Sequence, residues 1–262
     1  MKIITSELLE MSYDELIEYF IKKNGQPKYD YFHTQECRSV HEKNSRTKEG
    51  LEIHHIDENK YALLSSKESA KMHPYECQKA DRLVYVNVLE HLLLHIKIYE
   101  EECQKFVKTG KRPKLGIIGV YFLSKRINGY FSKESPPEGW HKNMFYVIKE
   151  NYDDFVKELT YYIKVKRNLL KNKNHRLYNE IFMITKKQNG KVDGNLARIL
   201  IMDNSDIFPF FIGDFVQHDK FGQGKVQRIG FTPKDDYVIY EINFEKYGKK
   251  YIPAIYQGMR KV

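Results

Sequence analysis

Three short stretches decide the fold of the N-terminal half of this sequence. Glu52-Ile53-His54-His55-Ile56-Asp57 is strand-like, and Leu83-Val84-Tyr85-Val86 is a second strand-like run. Glu90-His91-Leu92-Leu93-Leu94-His95 lies in a segment whose apolar residues recur at helical spacing. The predicted order is therefore strand, long polar connection, strand, helix. A connection of this length is typical of a functional or partly structured loop.

Four histidines fall on these elements. Neighbouring side chains of a strand point to opposite faces, so His54 and His55 are expected to face different groups. His91 and His95 are four residues apart on the predicted helix and share one face, with Cβ atoms about 5–6 Å apart. That spacing suits two imidazoles on one cation, and a strand histidine packed over the helix would supply a third ligand.

Over about 45 residues, these stretches resemble the HNH endonuclease motif. That family has the ββα-metal fold, in which a hairpin and a helix hold one divalent ion. The resemblance implies that His54 is the first metal ligand, His91 a helix ligand and His95 the additional helix ligand of the colicin-like branch. It implies that His55 is the general base, and that the cofactor is one divalent ion, Mg²⁺, Mn²⁺ or Zn²⁺. Imidazole suits a base that activates water near neutral pH, and a cation stabilises charge on the phosphate.

The middle of the motif departs from the family. The family's central Asn orients the base about nine residues before the first helix histidine, and that position holds Arg82, preceded by Asp81. Arg82 would bind the scissile phosphate, since guanidinium binds phosphate through two hydrogen bonds, and Asp81 would orient His55. Asn87 is interpreted as a helix cap, with Glu90 completing a capping box. The site is either a variant HNH centre or a weakened one.

The charge of the chain favours a polyanionic partner. The 262 residues carry a net charge of +9, which does not by itself identify the partner. The resemblance to HNH endonucleases implies that the partner is DNA. No acidic residue falls within 160–176, and the basic residues there are predicted DNA contacts, although such runs are also typical of solvated helix faces. They are Lys164, Lys166, Arg167, Lys171, Lys173 and Arg176. A second basic cluster comprises Lys105, Lys108, Lys111, Arg112 and Lys114.

The composition argues against several other classes of protein. No apolar run approaches the roughly 20 residues of a membrane span, and the N-terminus lacks the layout of a signal peptide. The three cysteines include no CxxC pair, which is typical of a reducing cytoplasm. We therefore expect a cytoplasmic protein with no membrane partner. Zinc binding by Cys37 and Cys77 is conceivable, but their spacing favours buried thiols.

The pattern changes to β-structure from about residue 209. The stretch 213–226, with its Gly-Asp-Phe-Val start and Phe-Gly-Gln-Gly turn, resembles the opening of the Tudor-like, SH3-type barrel of UvrD/PcrA-type helicases. Gly222 and Gly224 would adopt positive φ in a tight hairpin, and Phe221 would plug one end of the barrel. Such a barrel would bind a protein partner, bind nucleic acid or serve as structural padding. The residues suited to a phosphate surface are Lys225, Arg228, Lys249 and Lys250.

We therefore expect an α+β protein with three parts. These are an HNH domain with an N-terminal helix over residues 1–110, a helical basic region over 111–207 and an SH3/Tudor-like barrel over 208–262. The predicted function is a metal-dependent DNA endonuclease of restriction, phage defence or a mobile element. The alternative is a non-catalytic module that binds nucleic acid or recruits a partner and keeps a structural metal. A homodimer would suit cleavage of both strands, but no residue pattern requires it.

Overall fold

The computed structural model describes residues 3–139, 141–170, 180–181, 183–187, 189–191, 193–203, 210, 212–231, 238–253, 256 and 258–262. These residues form helices and antiparallel sheets, so the expected α+β class is confirmed. The chain divides into two compact units, residues 1–158 and 159–262. Within the described part, no helix is long and apolar enough to cross a membrane.

The first unit is mainly helical and contains one hairpin. Its strands are β1 (Leu51–His55) and β2 (Leu83–Asn87), and its helices are α1 (Ser6–Glu10), α2 (Tyr13–Asn24), α3 (Lys67–Ala70), α4 (Val88–Thr109), α5 (Ile117–Phe131) and α6 (His141–Lys149). Helix α7 (Tyr152–Leu170) begins in this unit and crosses the division.

Helix α2 has a signal for its position at each end. Ser12 caps it, because its side chain accepts from the backbone N–H of Glu15 while the Glu15 carboxylate accepts from the Ser12 N–H. Gly25, at φ 77°, ends it. The helix turns Leu16 and Phe20 into the core, where both are fully buried.

The hairpin and helix α4 are continuous. Strands β1 and β2 pair antiparallel, with His54 opposite Val84 and His55 opposite Leu83. Asn87 ends β2 and caps α4, since its side chain accepts from the backbone N–H groups of residues 89 and 90 and the Glu90 carboxylate accepts from the Asn87 N–H. The structural interpretation of Asn87 is thus confirmed. With no loop between them, β2 fixes the position of the first turns of α4.

Helices α5 and α6 belong to the same unit as the hairpin. Helices α4 and α5 are in contact, and both contribute fully or almost fully buried residues to the core, such as Leu92, Ile96, Val120 and Leu123. This packing explains why the division lies after residue 158. It does not coincide with the expected boundaries after residues 110 and 207, because residues 111–158 complete the core of the first unit.

The second unit contains an open antiparallel sheet. Its elements are helix α8 (Gly194–Asp203) and strands β3 (Phe215–His218), β4 (Gly222–Phe231), β5 (Val238–Phe244), β6 (Gly248–Pro253) and β7 (Met259–Lys261). The strand order is β6-β5-β4-β3-β7, with β6 and β7 at the two edges. Among the residues that the structure describes, this sheet does not close into a barrel, because the three-residue strand β7 pairs with β3 alone.

Two glycines of this sheet have different roles. Gly222, the first residue of β4, has φ 74°, as expected for a residue at the hairpin turn. Gly224 is not among the glycines with positive φ, which corrects the prediction. A Cβ at position 224 would be 2.6 Å from the Phe244 ring. The lack of a side chain at Gly224 therefore lets this ring pack closely against the backbone of β4. Phe221 contacts Phe244 at a ring-centroid distance of 5.4 Å.

Candidate metal centre

Four side chains of the first unit converge on one point. His54, Glu58, His91 and His95 each offer one ligand atom, and these atoms lie within 4.8 Å of one another. The three predicted ligands are thus brought together. Glu58 was not among the predicted ligands, and a 3₁₀ turn over Ile56–Asn59 returns it towards the hairpin. Its Oε2 lies 3.7 Å from Nδ1 of His54 and 3.2 Å from Nε2 of His95.

Tyr13 of α2 fixes the orientation of His54. The Tyr13 hydroxyl donates its proton to the carbonyl oxygen of Ile56 at 2.8 Å. Its oxygen must therefore accept from Nε2–H of His54, which lies 2.8 Å away. Nδ1 of His54 then carries the lone pair, and it is buried with no hydrogen-bond partner. An orphaned acceptor in a cluster of ligand atoms is the arrangement that a metal ion satisfies.

Glu52 and Arg126 fix the orientation of His91. Nδ1 of His91 lies 2.6 Å from Oε1 of Glu52, and Arg126 donates from Nη2 to both carboxylate oxygens at 2.6 and 2.8 Å. Burial raises the pKa of Glu52, but the neighbouring His91 and Arg126 outweigh this effect and bring the pKa down to about 2. The ionised carboxylate accepts from Nδ1–H, which leaves Nε2 of His91 as the ligand atom.

The electrostatics of the cluster suit a cation. Burial lowers the pKa of His54 well below its ordinary value, and neighbouring His91 lowers it further. Burial likewise lowers the pKa of His91. Burial opposes ionisation of Glu58, yet its hydrogen bond with His95 keeps the pKa of Glu58 below its ordinary value. Neutral imidazole and ionised carboxylate are the forms that bind metals, so the residues fit a divalent ion.

His55 faces a different partner from His54, as the strand alternation predicts. Nε2 of His55 lies 2.9 Å from Oε1 of Gln78. The Gln78 amide is itself oriented, because its Nε2 donates to the carbonyl oxygen of Leu64 at 3.2 Å. Oε1 therefore accepts from Nε2–H of His55, which leaves the lone pair on Nδ1. Burial lowers the pKa of His55, which favours the neutral ring.

Asp81 and Arg82 are not brought to this site. Arg82 donates two hydrogen bonds to Asp57, at 2.7 and 2.6 Å, and this ion pair lowers the pKa of Asp57 to about 2. Asp81 is exposed, and neither residue lines the cavity above the cluster. Gln78, in the preceding 3₁₀ turn, takes the place that Asp81 was expected to fill.

Two signals in the sequence point to the residues that were missed. Gln78 is an amide four residues before Arg82, which is the position where the family's Asn is expected. One extra turn in the connection would account for this displacement. Glu58 is a carboxylate four residues after His54. Neither spacing is specific by itself, because the connection has no regular periodicity.

No protein-family model matches the chain, and no curated protein or solved structure matches it. The resemblance to the HNH family therefore rests on the residues and geometry given above.

A cavity of about 480 Å³ lies over the cluster. All four clustered side chains line it, together with His55. Three cations also line it: Arg46 and Arg126, which are paired with Glu49 and Glu52, and Lys114, which is exposed. The cavity is large enough for a small-molecule ligand or a nucleotide.

The predicted DNA contacts on α7 have different surroundings. Lys164 and Arg167 are exposed and remain predictions. Lys166 is 9% exposed, and its Nζ lies 3.0 Å from Oε2 of Glu180, so its charge is already matched within the protein. Lys166 is therefore not expected to contact DNA. Lys171, Lys173 and Arg176 lie outside the described residues.

The cysteines take no part in the cluster. Cys37, Cys77 and Cys103 are free and buried. Burial raises the pKa of the Cys37 and Cys77 thiols, which disfavours the thiolate that binds zinc. The interpretation of both as buried thiols is confirmed.

The outer face of the sheet in the second unit combines aromatic and basic side chains. Phe215 and Tyr251 are 54% and 59% exposed. Nζ of Lys225 lies 5.3 Å from the centroid of the Phe215 ring, and Lys249 is paired with Glu241 at 2.6 Å. The face suits either of the binding roles expected from the sequence.

Proposed function

We propose that this chain is a metal-dependent endonuclease of HNH type that hydrolyses phosphodiester bonds of DNA. The supporting observation is the placement of His55, held by Gln78, beside a cluster of three imidazoles and one carboxylate. A positioned base next to a cation site is the minimum that this hydrolysis requires.

The residues divide the chemistry between them. His54, Glu58, His91 and His95 would hold the ion, which when bound stabilises the charge on the phosphate and the leaving oxygen. Nδ1 of His55 accepts a proton from the attacking water, while Gln78 holds the opposite side of the ring. The ionised Glu58 then lies near the charged imidazole and favours it electrostatically. The water oxygen forms its bond to phosphorus as the bond to the leaving oxygen breaks.

The donor set narrows the choice of metal. Three imidazole nitrogens and one carboxylate oxygen suit Zn²⁺ or Mn²⁺, whereas Mg²⁺ prefers an all-oxygen environment with several waters. Of the three ions expected from the sequence, we propose Zn²⁺ or Mn²⁺.

One observation favours a second candidate function. Structural zinc sites are closed by four protein ligands, whereas catalytic sites keep a position open for water or substrate. The cluster contains four ligating side chains, all of them at most 15% exposed. If all four bind at once, the chain is a nucleic-acid-binding or partner-recruiting module with a structural metal. The nuclease requires either an expanded coordination shell or the release of Glu58.

Cleavage of plasmid DNA in the presence of Mn²⁺, Zn²⁺ or Mg²⁺ tests the proposal. His55→Ala should abolish cleavage, while calorimetry shows unchanged metal binding and circular dichroism an unchanged fold. His73→Ala is the matched control, because His73 stacks on Tyr61 away from the cluster. Unchanged cleavage by His55→Ala would contradict the mechanism. Absence of cleavage by the unmodified protein with every metal would favour the binding module.

The wider role is proposed on less specific grounds. Restriction, phage defence and mobile-element functions all use this chemistry. The outer face of the sheet would serve a protein partner, and a homodimer would pair two sites for cleavage of both strands. Three free, buried cysteines are consistent with a reducing cytoplasm.

A further inference from the structure

The candidate metal ligands lie at the base of the cavity. The exposed fraction of the side chain is 0% for His54, 10% for Glu58, 15% for His91 and 11% for His95. The cavity above them has a volume of about 480 Å³. A DNA duplex is stiff over about 150 base pairs, so it would have to deform to bring one phosphate down to these buried ligands. An unpaired strand is flexible enough to do so.

Part of the cavity wall is apolar and exposed. Phe122 and Ile118, one turn apart on α5, both line it and are 63% and 49% exposed. Leu63, from the connection between β1 and β2, also lines it and is 50% exposed. Large apolar side chains that stay exposed around a cavity are typical of a ligand surface. An exposed aromatic ring is what an unpaired base stacks on.

A basic segment leads to the same cavity. Five cations follow one another from the end of α4 to the start of α5, all of them exposed: Lys105, Lys108, Lys111, Arg112 and Lys114. The last of these, Lys114, lines the cavity and makes no ion pair within the described residues. Arg46 and Arg126 also line the cavity, but their charges are matched by Glu49 and Glu52. Lys114 is thus placed to bind a phosphate.

We propose that the cavity receives an unpaired strand of DNA. A base stacks on Phe122, and the backbone follows the basic segment over Lys114 to the buried cluster. This inference rests on the proposed function and narrows its substrate to single-stranded DNA.

The test measures binding and cleavage separately. Fluorescence anisotropy compares a labelled oligonucleotide with the same strand annealed to its complement, using the His55→Ala protein with Mn²⁺ so that no cutting occurs. The single strand should bind at least about tenfold more tightly. Adding Phe122→Ala should weaken that binding roughly tenfold, because one stacked base is lost. Adding Lys114→Ala should reduce the slope of log affinity against log salt by about 0.7.

Matched controls separate the cavity from its surroundings. Lys125→Ala removes an exposed cation of α5, the helix that carries Phe122, and Tyr146→Ala removes an exposed aromatic ring of α6. Neither residue lines the cavity, so both variants should bind the strand normally. Because Phe122 and Lys114 are exposed, their substitutions leave the buried core unchanged, and circular dichroism should show this.

The outcomes distinguish the two proposals. Duplex bound as tightly as the single strand, or cut as fast by the unmodified protein, would overturn this inference and leave the nuclease standing. The inference would also be overturned if single-strand binding were unchanged in Phe122→Ala and Lys114→Ala, or if neither form of DNA bound. Single-strand binding that depends on Phe122, without cleavage of any substrate, would support this inference and contradict the proposed nuclease function.

Discussion

Gly119 of α5 lies directly against the imidazole of His95. A Cβ at position 119 would be 2.2 Å from Nδ1 of His95 and 2.4 Å from two carbons of the ring. On its other side, Nε2 of the ring faces Oε2 of Glu58 at 3.2 Å. The absence of a side chain at one position therefore sets where a candidate metal ligand lies.

Gly119→Ala should push the His95 ring out of place. We expect the affinity for Zn²⁺ or Mn²⁺ to fall about tenfold or more, and the free energy of unfolding to fall by about 1–3 kcal/mol. Titration calorimetry and chemical denaturation measure the two effects. Gly194→Ala is the matched control, because a Cβ there meets no atom within 4 Å and its φ is not positive. Unchanged metal affinity in Gly119→Ala would show that His95 does not ligate.

Tyr13→Phe should weaken metal binding without removing packing. The variant keeps the buried ring but loses the oxygen that accepts from Nε2–H of His54, so the tautomer with a free Nδ1 is no longer favoured. We expect about a tenfold loss of metal affinity by calorimetry. Tyr19→Phe, at a 39% exposed position of the same helix, should bind metal as the unmodified protein does. Equal affinities in the two variants would contradict this role of Tyr13.

The parts of the site that the sequence predicts are those that depend on local spacing. The pairing of β1 with β2 follows from two short strand-like runs, and the start of α4 follows from the capping box of Asn87 and Glu90. The shared face of His91 and His95 follows from helical periodicity alone. Each of these features is decided by residues within one turn or one strand pair.

The remaining parts depend on long-range or irregular structure. Glu58 and Gln78 reach the site through 3₁₀ turns, which leave no periodic trace in the sequence. Arg126 pairs with Glu52 across 74 positions, through the packing of α5 on the hairpin unit. Arg82 was expected at the phosphate, but the nearby carboxylate of Asp57 holds it. A residue count along the motif takes no account of such competing partners.

Gln78→Leu should slow cleavage and leave the metal site intact. Without the amide oxygen, Nε2–H of His55 loses its acceptor, so the ring is free to turn and to change tautomer. We expect single-turnover cleavage to slow about tenfold or more, with unchanged metal affinity. Gln78→Glu keeps an acceptor oxygen and should recover part of the rate. An unchanged rate in Gln78→Leu would show that His55 needs no partner, or that it is not the base.

Glu158 of α7 should make the protein less stable as the pH rises. Its carboxyl is fully buried, with no hydrogen-bond partner for either oxygen. Burial, and then the charges of Asp154 and Glu90, raise its pKa well above the ordinary 4.5. Between pH 4.5 and the raised pKa, the folded protein keeps a proton that the unfolded chain has lost. The free energy of unfolding therefore decreases as the pH rises through this range. Glu158→Gln should raise Tm at pH 8 more than at pH 5, whereas Glu150→Gln, at an exposed position, should change neither. Equal shifts at both pH values would show that Glu158 is ionised in the folded protein.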